Sequence, residues 1–268
     1  MSYSKDDLIA CLKALKINPR GTLLVHSSMK SIGEVEGGAD TVLDALSEYM
    51  QDGLLVLPTH TWAYINAENP KFYLEDSPSC IGILPELFRK RPGVLRAKHP
   101  THSVAALGKD AEDFIAGYEK CDTPCSRQSP WGKLLDREAT IMLLGVNLTC
   151  NTFIHGVEEW ADIPGRLTTT HEPLVVVLKD GTEIKVPSRR HCGLRWSQHF
   201  WKVDDLFEKH QVMRIGRFGQ AEVRCCETKP MTELLFKLLA INPELFSDNK
   251  PLGEEFEEIG EDVKNGNT

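Results

Sequence analysis

A histidine and a glutamate three residues apart form the stretch of this chain best suited to acid–base chemistry. They are His155 and Glu158, within "NTFIHGVEEW". Asn151 or Thr152 can cap a helix that begins here, and residues three apart on a helix share one face. A carboxylate beside an imidazole can fix its tautomer and leave the other ring nitrogen free to accept a proton. A buried structural His–Glu pair explains the spacing equally well, so both interpretations stay open.

The other histidines and the cysteines do not form a recognised metal motif. The order H-x-x-E lacks the second histidine of the zinc motif H-E-x-x-H, and "CDTPC" (121–125) has no partner pair at zinc-finger distance. His99 and His102 lie where a loop leads into a strand, so they either support the strand entry or line a cleft. We therefore expect no metal ion.

A polar loop after the first apolar run is the best candidate for binding an anion. In "HSSMKSIGEVEGGA" a strand ends at His26 and a helix opens after Gly37-Gly38. The loop residues in question are Ser27, Ser28, Lys30, Ser31 and Gly33. Free backbone N–H groups, a helix N-terminus and the Lys30 charge together suit a phosphate-bearing ligand. The pattern matches neither G-x-G-x-x-G nor a Walker loop, and a well-capped turn is the alternative interpretation.

Alternating helix and strand patterns must position these residues. Helical periodicity falls at about 5–16, 38–50, 82–90, 109–118 and 229–240, and buried-strand runs at 22–26, 54–58, 103–108 and 140–146. This alternation over residues 1–160 predicts a layered α/β core. From about residue 172 two hairpin patterns follow, the first around Asp180-Gly181, which predicts an appended β-hairpin-rich section over about 172–228.

Composition excludes several classes of protein. The 268 residues carry a net charge of -8, which disfavours nucleic acid and anionic membranes as partners. No apolar run approaches the roughly 20 residues that span a bilayer, and the N-terminus lacks the apolar core of a signal peptide. We expect a cytoplasmic protein, monomer or homodimer, with one domain over residues 1–245. The acidic tail, 246–268, is predicted to be mobile or weakly helical, or to lie across a partner subunit.

Five blocks occur in an order that resembles a known family. They read "LLVHSSMKSIGEVEGGADTVLDAL", "LLVLPTHTW", "HPTHSVAALG", "SPWGKLL" and "IMLLGVNLTCNTFIHGVEEWADIP". Together they resemble the aminoglycoside 3-N-acetyltransferases, the antibiotic N-acetyltransferase family, over roughly residues 5–240. The resemblance implies a three-layer α/β/α fold. It also implies acetyl-CoA as co-substrate and the 3-N amine of an aminoglycoside antibiotic as acceptor.

The resemblance also implies roles for particular residues. His155 corresponds to the family's histidine and would act as general base, with Glu158 or another carboxylate orienting it. The loop from Ser27 to Gly33 would hold the pantetheine and pyrophosphate of CoA. The acetyl group would pass directly between the two bound substrates, without an acetyl-enzyme. A backbone N–H near Ser103 and Val104 is our candidate for stabilising the oxyanion.

The acceptor is the least determined part of this hypothesis. An aminoglycoside is a polycation, and an acidic pocket is the simplest way to hold one. The candidate carboxylates are Glu159, Asp162, Asp204 and Asp205, with Asp76 as a further source of negative field. However, "PSRRHCGLRWSQHF" (187–200) is basic and aromatic where resistance enzymes tend to be acidic. An acyltransferase of the same fold acting on a different amine therefore remains an alternative, as does a non-catalytic CoA-binding protein.

Overall fold

The secondary structure follows the alternation expected from the sequence. The computed structural model describes residues 2–192, 196–253, 256 and 259. Within these ranges the strands are β1 (Thr22–Ser27), β2 (Leu54–Pro58), β3 (Lys71–Tyr73), β4 (Leu95–Arg96), β5 (Val104–Gly108), β6 (Thr140–Leu144), β7 (Val175–Val177), β8 (Glu183–Lys185), β9 (Met213–Phe218) and β10 (Ala221–Glu227). The α-helices are α1 (Lys5–Ala14), α2 (Ala39–Tyr49), α3 (Ile83–Phe88), α4 (Ala111–Ile115), α5 (Pro130–Asp136), α6 (Thr152–Trp160), α7 (Asp204–Lys209) and α8 (Thr228–Ile241).

A seven-stranded sheet in the order β4-β5-β2-β1-β6-β10-β9 forms the centre of the fold. Strands β1, β2 and β6 are parallel, so their carboxyl ends meet at one edge. Strands β5 and β10 run antiparallel to the strands beside them, β2 and β6. Strand β5 therefore begins at the edge where β1, β2 and β6 end, and the residues just before it reach the same place.

Two apolar layers cover the faces of this sheet. Leu23 and Val25 pack with helices α1 and α2, whereas Leu24 packs on the opposite face with α5, α6 and α8. The reason is the two-residue period of a strand, which sends successive side chains to opposite faces. The same rule separates the adjacent Cys225 and Cys226, which belong to different layers as expected. The fold is therefore three-layered α/β/α, as the sequence predicted.

The hairpin-rich section is divided between two sheets. Strands β7 and β8 pair around Gly181 and join β3 in a separate three-stranded sheet. Strands β9 and β10 instead complete the main sheet through β6. The first hairpin thus lies outside the seven-stranded sheet, and the second hairpin is part of it.

The helix expected over 109–118 is shorter than predicted. Helix α4 ends at Ile115, and a separate 3-10 turn spans Tyr118–Lys120. Gly117 lies between them with φ at +83°, a left-handed conformation that ends a helix. Apolar periodicity continues across this glycine, but the helical backbone does not.

The beginning of the predicted mobile tail belongs to the core. Phe246 is fully buried, with its ring 4.8 Å from that of Phe200, and Phe256 is also buried. Sparse apolar residues are the reason that the sequence predicts weak structure here, but two large aromatic rings are enough to dock the segment. The other residues after 253, apart from Ile259, lie outside the described part of the chain.

A glycine directly after β6 lets the loop from Ser27 to Gly33, the candidate anion site, pack closely against the end of that strand. Gly145 has φ at +67°, and a Cβ built there would lie 2.4 Å from the Cβ of Ser31. Its carbonyl accepts a hydrogen bond of 3.2 Å from the Ser31 hydroxyl. No larger residue fits here without moving the loop.

We predict that Gly145→Ala is destabilising mainly through this contact. Gly181 offers a matched control, because its φ is +84° and nothing lies within 4 Å of the position that a Cβ would take there. Both substitutions place alanine at positive φ, but only Gly145→Ala also overpacks. Urea unfolding should show that Gly145→Ala loses about 1–3 kcal/mol more free energy of unfolding than Gly181→Ala. Equal losses in the two variants would contradict the close approach of the loop.

Candidate active site

The main cavity opens at the carboxyl edge of the parallel strands. It has a volume of about 370 Å³ and is lined from β1 by His26 and Ser27, and from beyond β2 by His60 and Trp62. The turn after β6, the start of α6 and the loop before β5 supply further lining residues, among them Cys150, Thr152, His155 and His102. Arg190, His191 and Ser197 complete the wall from the other side. In α/β sheets this edge is where ligands usually bind.

Helix α6 presents the predicted pair to the cavity. Asn151 caps the helix, and its side chain accepts a hydrogen bond from the backbone N–H of Phe153, as the sequence predicted. The Nδ1 of His155 lies 3.0 Å from a carboxylate oxygen of Glu158. Glu158 is 1% exposed and accepts a second hydrogen bond from Arg166, whose guanidinium lies 3.6 Å from the ring centroid of Trp196. The imidazole is thus oriented by a fixed carboxylate, and its Nε2 is free to exchange a proton.

A second His–Glu pair stands directly beside the first. The Nε2 of His191 lies 2.6 Å from a carboxylate oxygen of Glu159, which also accepts a hydrogen bond of 2.8 Å from the Cys125 backbone N–H. The rings of His155 and His191 are stacked, with centroids 4.5 Å apart and planes at 27°. Burial raises the pKa of Glu159 to about 7, so this pair shares a proton near neutral pH. The two pairs differ because Glu158 has an arginine partner and Glu159 has none of comparable proximity.

Buried histidines form much of the remaining wall. The Nε2 of His60 lies 3.2 Å from the Thr152 hydroxyl, and its ring centroid is 4.8 Å from that of His102. Burial is the largest cause that holds the pKa of His60 and of His102 well below the usual value. Burial also lowers the pKa of His26 and of His99 to about 3. These rings are therefore neutral at physiological pH and act as hydrogen-bonding and packing groups.

The anion-loop residues lie at two different distances from the cavity. Ser27 lines it, whereas the hydroxyl of Ser31 is turned toward Ser28 at 3.0 Å and toward the carbonyl of Gly145. Lys30 is exposed, and Gly33 ends the 3-10 turn Met29–Ile32 with φ at +89°. The loop therefore borders the cavity on its open side, with one charged group facing solvent.

Ser103 and Val104 do not line the cavity. Both are fully buried, and the Ser103 hydroxyl donates a 2.6 Å hydrogen bond to the Ala97 carbonyl. The Ser103 carbonyl accepts from Thr59, and the Val104 carbonyl accepts from Ala97. These hydroxyl and carbonyl groups bond within the sheet, and the predicted oxyanion role of a backbone N–H near Ser103 and Val104 stays a prediction. His102, one residue earlier, is the nearest residue of this segment that reaches the cavity.

The carboxylates expected to bind the acceptor are also placed elsewhere. Glu159 is turned inward to His191 and Cys125. Asp162 lies in a separate groove beside Pro164, and Asp204 and Asp205 lie in another near Leu252. Asp204 is paired at 3.5 Å with Arg224. Proximity in sequence to helix α6 and to the second hairpin does not bring these carboxylates to the cavity.

Sequence analysis missed several lining residues. His26 and His60 stand at strand ends, and Arg190 and His191 follow the small sheet, where no local motif marks them. The signal that could have found His60 is its place just after β2, because carboxyl ends of parallel strands share an edge. Arg189, from the same basic segment, contacts Asp122 at 3.5 Å, and Arg195 lies outside the described residues.

One group within the described residues has metal-ligand composition. A ligand atom from each of Cys125, Glu159 and His191 lies within 4.8 Å of the other two. The 2.6 Å contact between His191 and Glu159 is a hydrogen bond, and burial raises the pKa of the Cys125 thiol well above its usual value. The arrangement is thus a protonated thiol beside a hydrogen-bonded pair.

Comparison with known proteins places this chain and its fold in one class. The chain matches the family described as "Aminoglycoside 3-N-acetyltransferase" over residues 24–240. It is 29% identical to the aminoglycoside N(3')-acetyltransferase-like protein YokD of Bacillus subtilis (strain 168), with 82% of this chain and 86% of that protein covered. It is 28% identical to aminoglycoside N(3)-acetyltransferase IV of Salmonella sp, over 91% and 90% of the two chains.

Solved structures agree with the sequence relatives. A histidine-to-alanine variant of aminoglycoside acetyltransferase AAC(3)-IVa in complex with gentamicin superimposes with a TM-score of 0.81, 26% identity and 92% coverage of both chains. The structure of YokD gives a TM-score of 0.78 with 27% identity, over 90% of this chain and 95% of that one. The chain belongs to the aminoglycoside 3-N-acetyltransferase family, a family of acyltransferases. None of the described helices could cross a bilayer.

The buried histidines predict that the protein loses stability in mild acid. Those that stay neutral when folded are His26, His60, His99, His102 and His191. Each has a folded pKa below its unfolded value of about 6.5, so the unfolded chain binds more protons and stability falls as pH drops from 7 to about 5. Glu159 opposes this trend, since its raised pKa favours the protonated folded state, but it is one group against five.

The slope of stability against pH tests this assignment. His99→Gln should reduce the slope between about pH 5 and 7 by up to roughly 1.4 kcal/mol per pH unit, as measured by urea unfolding at several pH values. Leu234→Ala is the control, because it removes a buried core side chain and no titrating group. It should lower stability at every pH without changing the slope. An unchanged slope in His99→Gln would mean that folded His99 titrates normally.

Proposed function

We propose that this protein transfers an acetyl group directly from acetyl-CoA to an amine, with His155 as general base. The observation that carries the proposal is the fixed imidazole at the cavity wall, with Nδ1 held 3.0 Å from the buried Glu158 carboxylate. With that hydrogen bond made, Nδ1 carries the proton and Nε2 is the acceptor. An amine arrives at neutral pH as an ammonium ion, which cannot attack a thioester until it loses a proton.

The proposed step conserves atoms and charge. The Nε2 of His155 takes a proton from the ammonium, and the freed amine nitrogen attacks the thioester carbonyl carbon. When the tetrahedral intermediate collapses, the carbon–sulfur bond breaks and the sulfur leaves as a thiolate. His155 then returns its proton to that sulfur, which yields free CoA, and the second proton on the attacking nitrogen passes to water, which leaves a neutral amide. Glu158 stabilises the imidazolium between the two transfers, and the hydrogen bond from Arg166 holds Glu158 in place.

Direct transfer is favoured over a covalent acetyl-enzyme by the thiol that lines the cavity. Cys150 is the cysteine among the described lining residues; it is exposed, and partial desolvation raises its pKa. A thiol needs to be ionised to act as a nucleophile, so this environment works against an acetyl-Cys150 intermediate. We expect Cys150→Ser to keep most of the activity, and intact-mass measurement with acetyl-CoA alone to show no acetylated protein.

The donor site is proposed to lie along the loop from Ser27 to Gly33. Ser27 lines the cavity, and the exposed Lys30 stands on the adjoining 3-10 turn. A thiol end near Ser27 and a phosphate end near Lys30 would follow this surface outward. Acetyl-CoA as donor follows from the family relationship and agrees with this geometry.

Two kinds of acceptor are compatible with the chemistry. The family relationship supports the 3-N amine of an aminoglycoside, and the AAC(3)-IVa relative is described with gentamicin bound. The residues of this cavity favour an amine with less positive charge. The base and the donor site serve either acceptor, since the reacting atoms are the same.

We predict that His155→Ala lowers kcat by about 10²–10⁴-fold while the dissociation constant for acetyl-CoA stays within a factor of about two. The reason is that the ring supplies the proton acceptor but none of the proposed CoA contacts. Release of free CoA, detected by a thiol reagent, gives kcat, and calorimetry gives binding. His171→Ala is the control, since that histidine lies on the surface beside Asp122. A normal kcat in His155→Ala would show that His155 is not the general base.

A separate prediction concerns the donor loop. Lys30→Ala should weaken CoA binding by about 5- to 10-fold, because one exposed charge near a phosphate contributes about 1 kcal/mol. Lys185→Ala is the matched control, with an exposed lysine on the small sheet. Calorimetric titration with CoA measures both. Equal affinities for CoA in the two variants would show that the phosphates of CoA do not lie near Lys30.

A further inference from the structure

The described lining of the main cavity contains no carboxylate. Its ionisable side chains are Cys150, Arg190 and the histidines at positions 26, 60, 102, 155 and 191. Arg190 therefore carries the one permanent charge among the described lining residues.

The acidic residues behind the wall are already paired. Glu158 is held between His155 and Arg166, and Glu159 between His191 and the Cys125 backbone. A third carboxylate, Glu172, lies 3.4 Å from the Arg190 guanidinium. Each of these three carboxylates thus has a partner within the protein and none lines the cavity, although Oε1 of Glu158 is buried without a hydrogen-bond partner among the described residues.

A ligand with several ammonium groups would be poorly held here. Each ammonium that enters loses water and meets neutral histidines or Arg190 instead of a carboxylate. An uncompensated charge of this kind is costly, and a like charge nearby adds repulsion. The neutral state of His60, His102 and His191 already reflects how little positive charge the site tolerates.

The rest of the wall suits an uncharged, flat or apolar group. Trp62 is 45% exposed at the cavity, where Ile81, Pro85 and Val146 also line it. An indole face can stack on an aromatic ring or rest against a single ammonium. Arg190 is not a free anion receptor, because its guanidinium donates to the carbonyls of Ile65 and Trp62 and contacts Glu172.

We propose that the acceptor is a small monoamine with an uncharged aromatic or apolar body, and that polycationic amines are poor substrates. The inference rests on the proposed acetyl transfer and specifies its acceptor. His155 would deprotonate the one basic nitrogen while the body of the molecule lies against Trp62. The mechanism of the family is kept, and the choice of amine follows from the missing carboxylates.

A substrate panel tests the proposal. Free CoA released from acetyl-CoA is measured with tyramine, tryptamine and benzylamine, and with gentamicin and apramycin. The best monoamine should exceed both aminoglycosides in kcat/KM by at least about 100-fold. An aminoglycoside that equals or exceeds every monoamine would overturn the proposal and leave acetyl transfer intact. If no amine in the panel releases CoA, both the acceptor proposal and the proposed function are overturned.

Two pairs of variants test whether the charge of the cavity wall and the Trp62 side chain determine which amine is accepted. Ser197 lines the cavity, and Ser197→Asp adds the missing carboxylate while Ser197→Asn matches its size without charge. The ratio of kcat/KM for gentamicin to kcat/KM for tyramine should rise by about 10-fold in the Asp variant only. If this ratio of kcat/KM values is equal in the two variants, the charge of the cavity wall does not select the acceptor. Tyramine turnover in both shows that they fold.

The second pair examines the aromatic contact. Trp62→Ala should raise KM for tryptamine by about 10-fold, and Trp62→Phe should raise it less, because a phenyl face still stacks. The thermal midpoint should change little in either variant, since the side chain is half exposed. A KM that is unchanged in Trp62→Ala would place the body of the acceptor elsewhere and overturn that part of the proposal.

Discussion

The buried charge of Glu158 is the interaction on which the site depends. A carboxylate that is 1% exposed is strongly disfavoured unless it is paired, and its partners are His155 from its own helix and Arg166 from the following turn. Arg166 in turn stacks on Trp196, at the start of the segment that brings Ser197 and Phe200 to the site. One desolvated carboxylate therefore fixes the ring that faces the cavity and ties three parts of the chain together. Loss of Arg166 would disturb the orientation of His155 without touching it.

The second pair, His191 and Glu159, explains how two imidazoles can be stacked at 4.5 Å. Two imidazolium rings at that distance would repel each other. The pKa of Glu159 is raised to about 7 and that of His191 is well below normal, so the second pair is close to neutral overall. In the proposed mechanism, His155 would then accept a proton beside a ring that is not itself charged. We interpret the second pair as the packing support of the first, with its neutrality as the condition that makes the contact possible.

The fold could be predicted further than the site. Leu23 to Val25, Leu54 to Leu57 and Cys225-Cys226 each show their strand character locally, because burial on both faces leaves continuous apolar runs. His155 and Glu158 were found from spacing on one helix, which is also local information. Glu159 and Asp204 could not be placed in this way, because whether a carboxylate faces a cavity or an internal partner depends on residues such as His191 and Arg224 that are distant in sequence. The same limit hid His60, which reaches the site only through the parallel pairing of β1 with β2.

Catalytic geometry and acceptor electrostatics are separable in this architecture. Arg166 holds the His155–Glu158 pair through its contact with Glu158. The charge of the cavity wall depends instead on side chains from other segments, including Arg190 and His191. A change in those segments can alter which amine enters without moving the base. The base acts on the one nitrogen that reacts, so it places no demand on the rest of the acceptor. The family relationship therefore supports acetyl transfer more directly than it supports a particular acceptor, and the lack of a carboxylate among the described lining residues is the feature of this chain that bears on its amine.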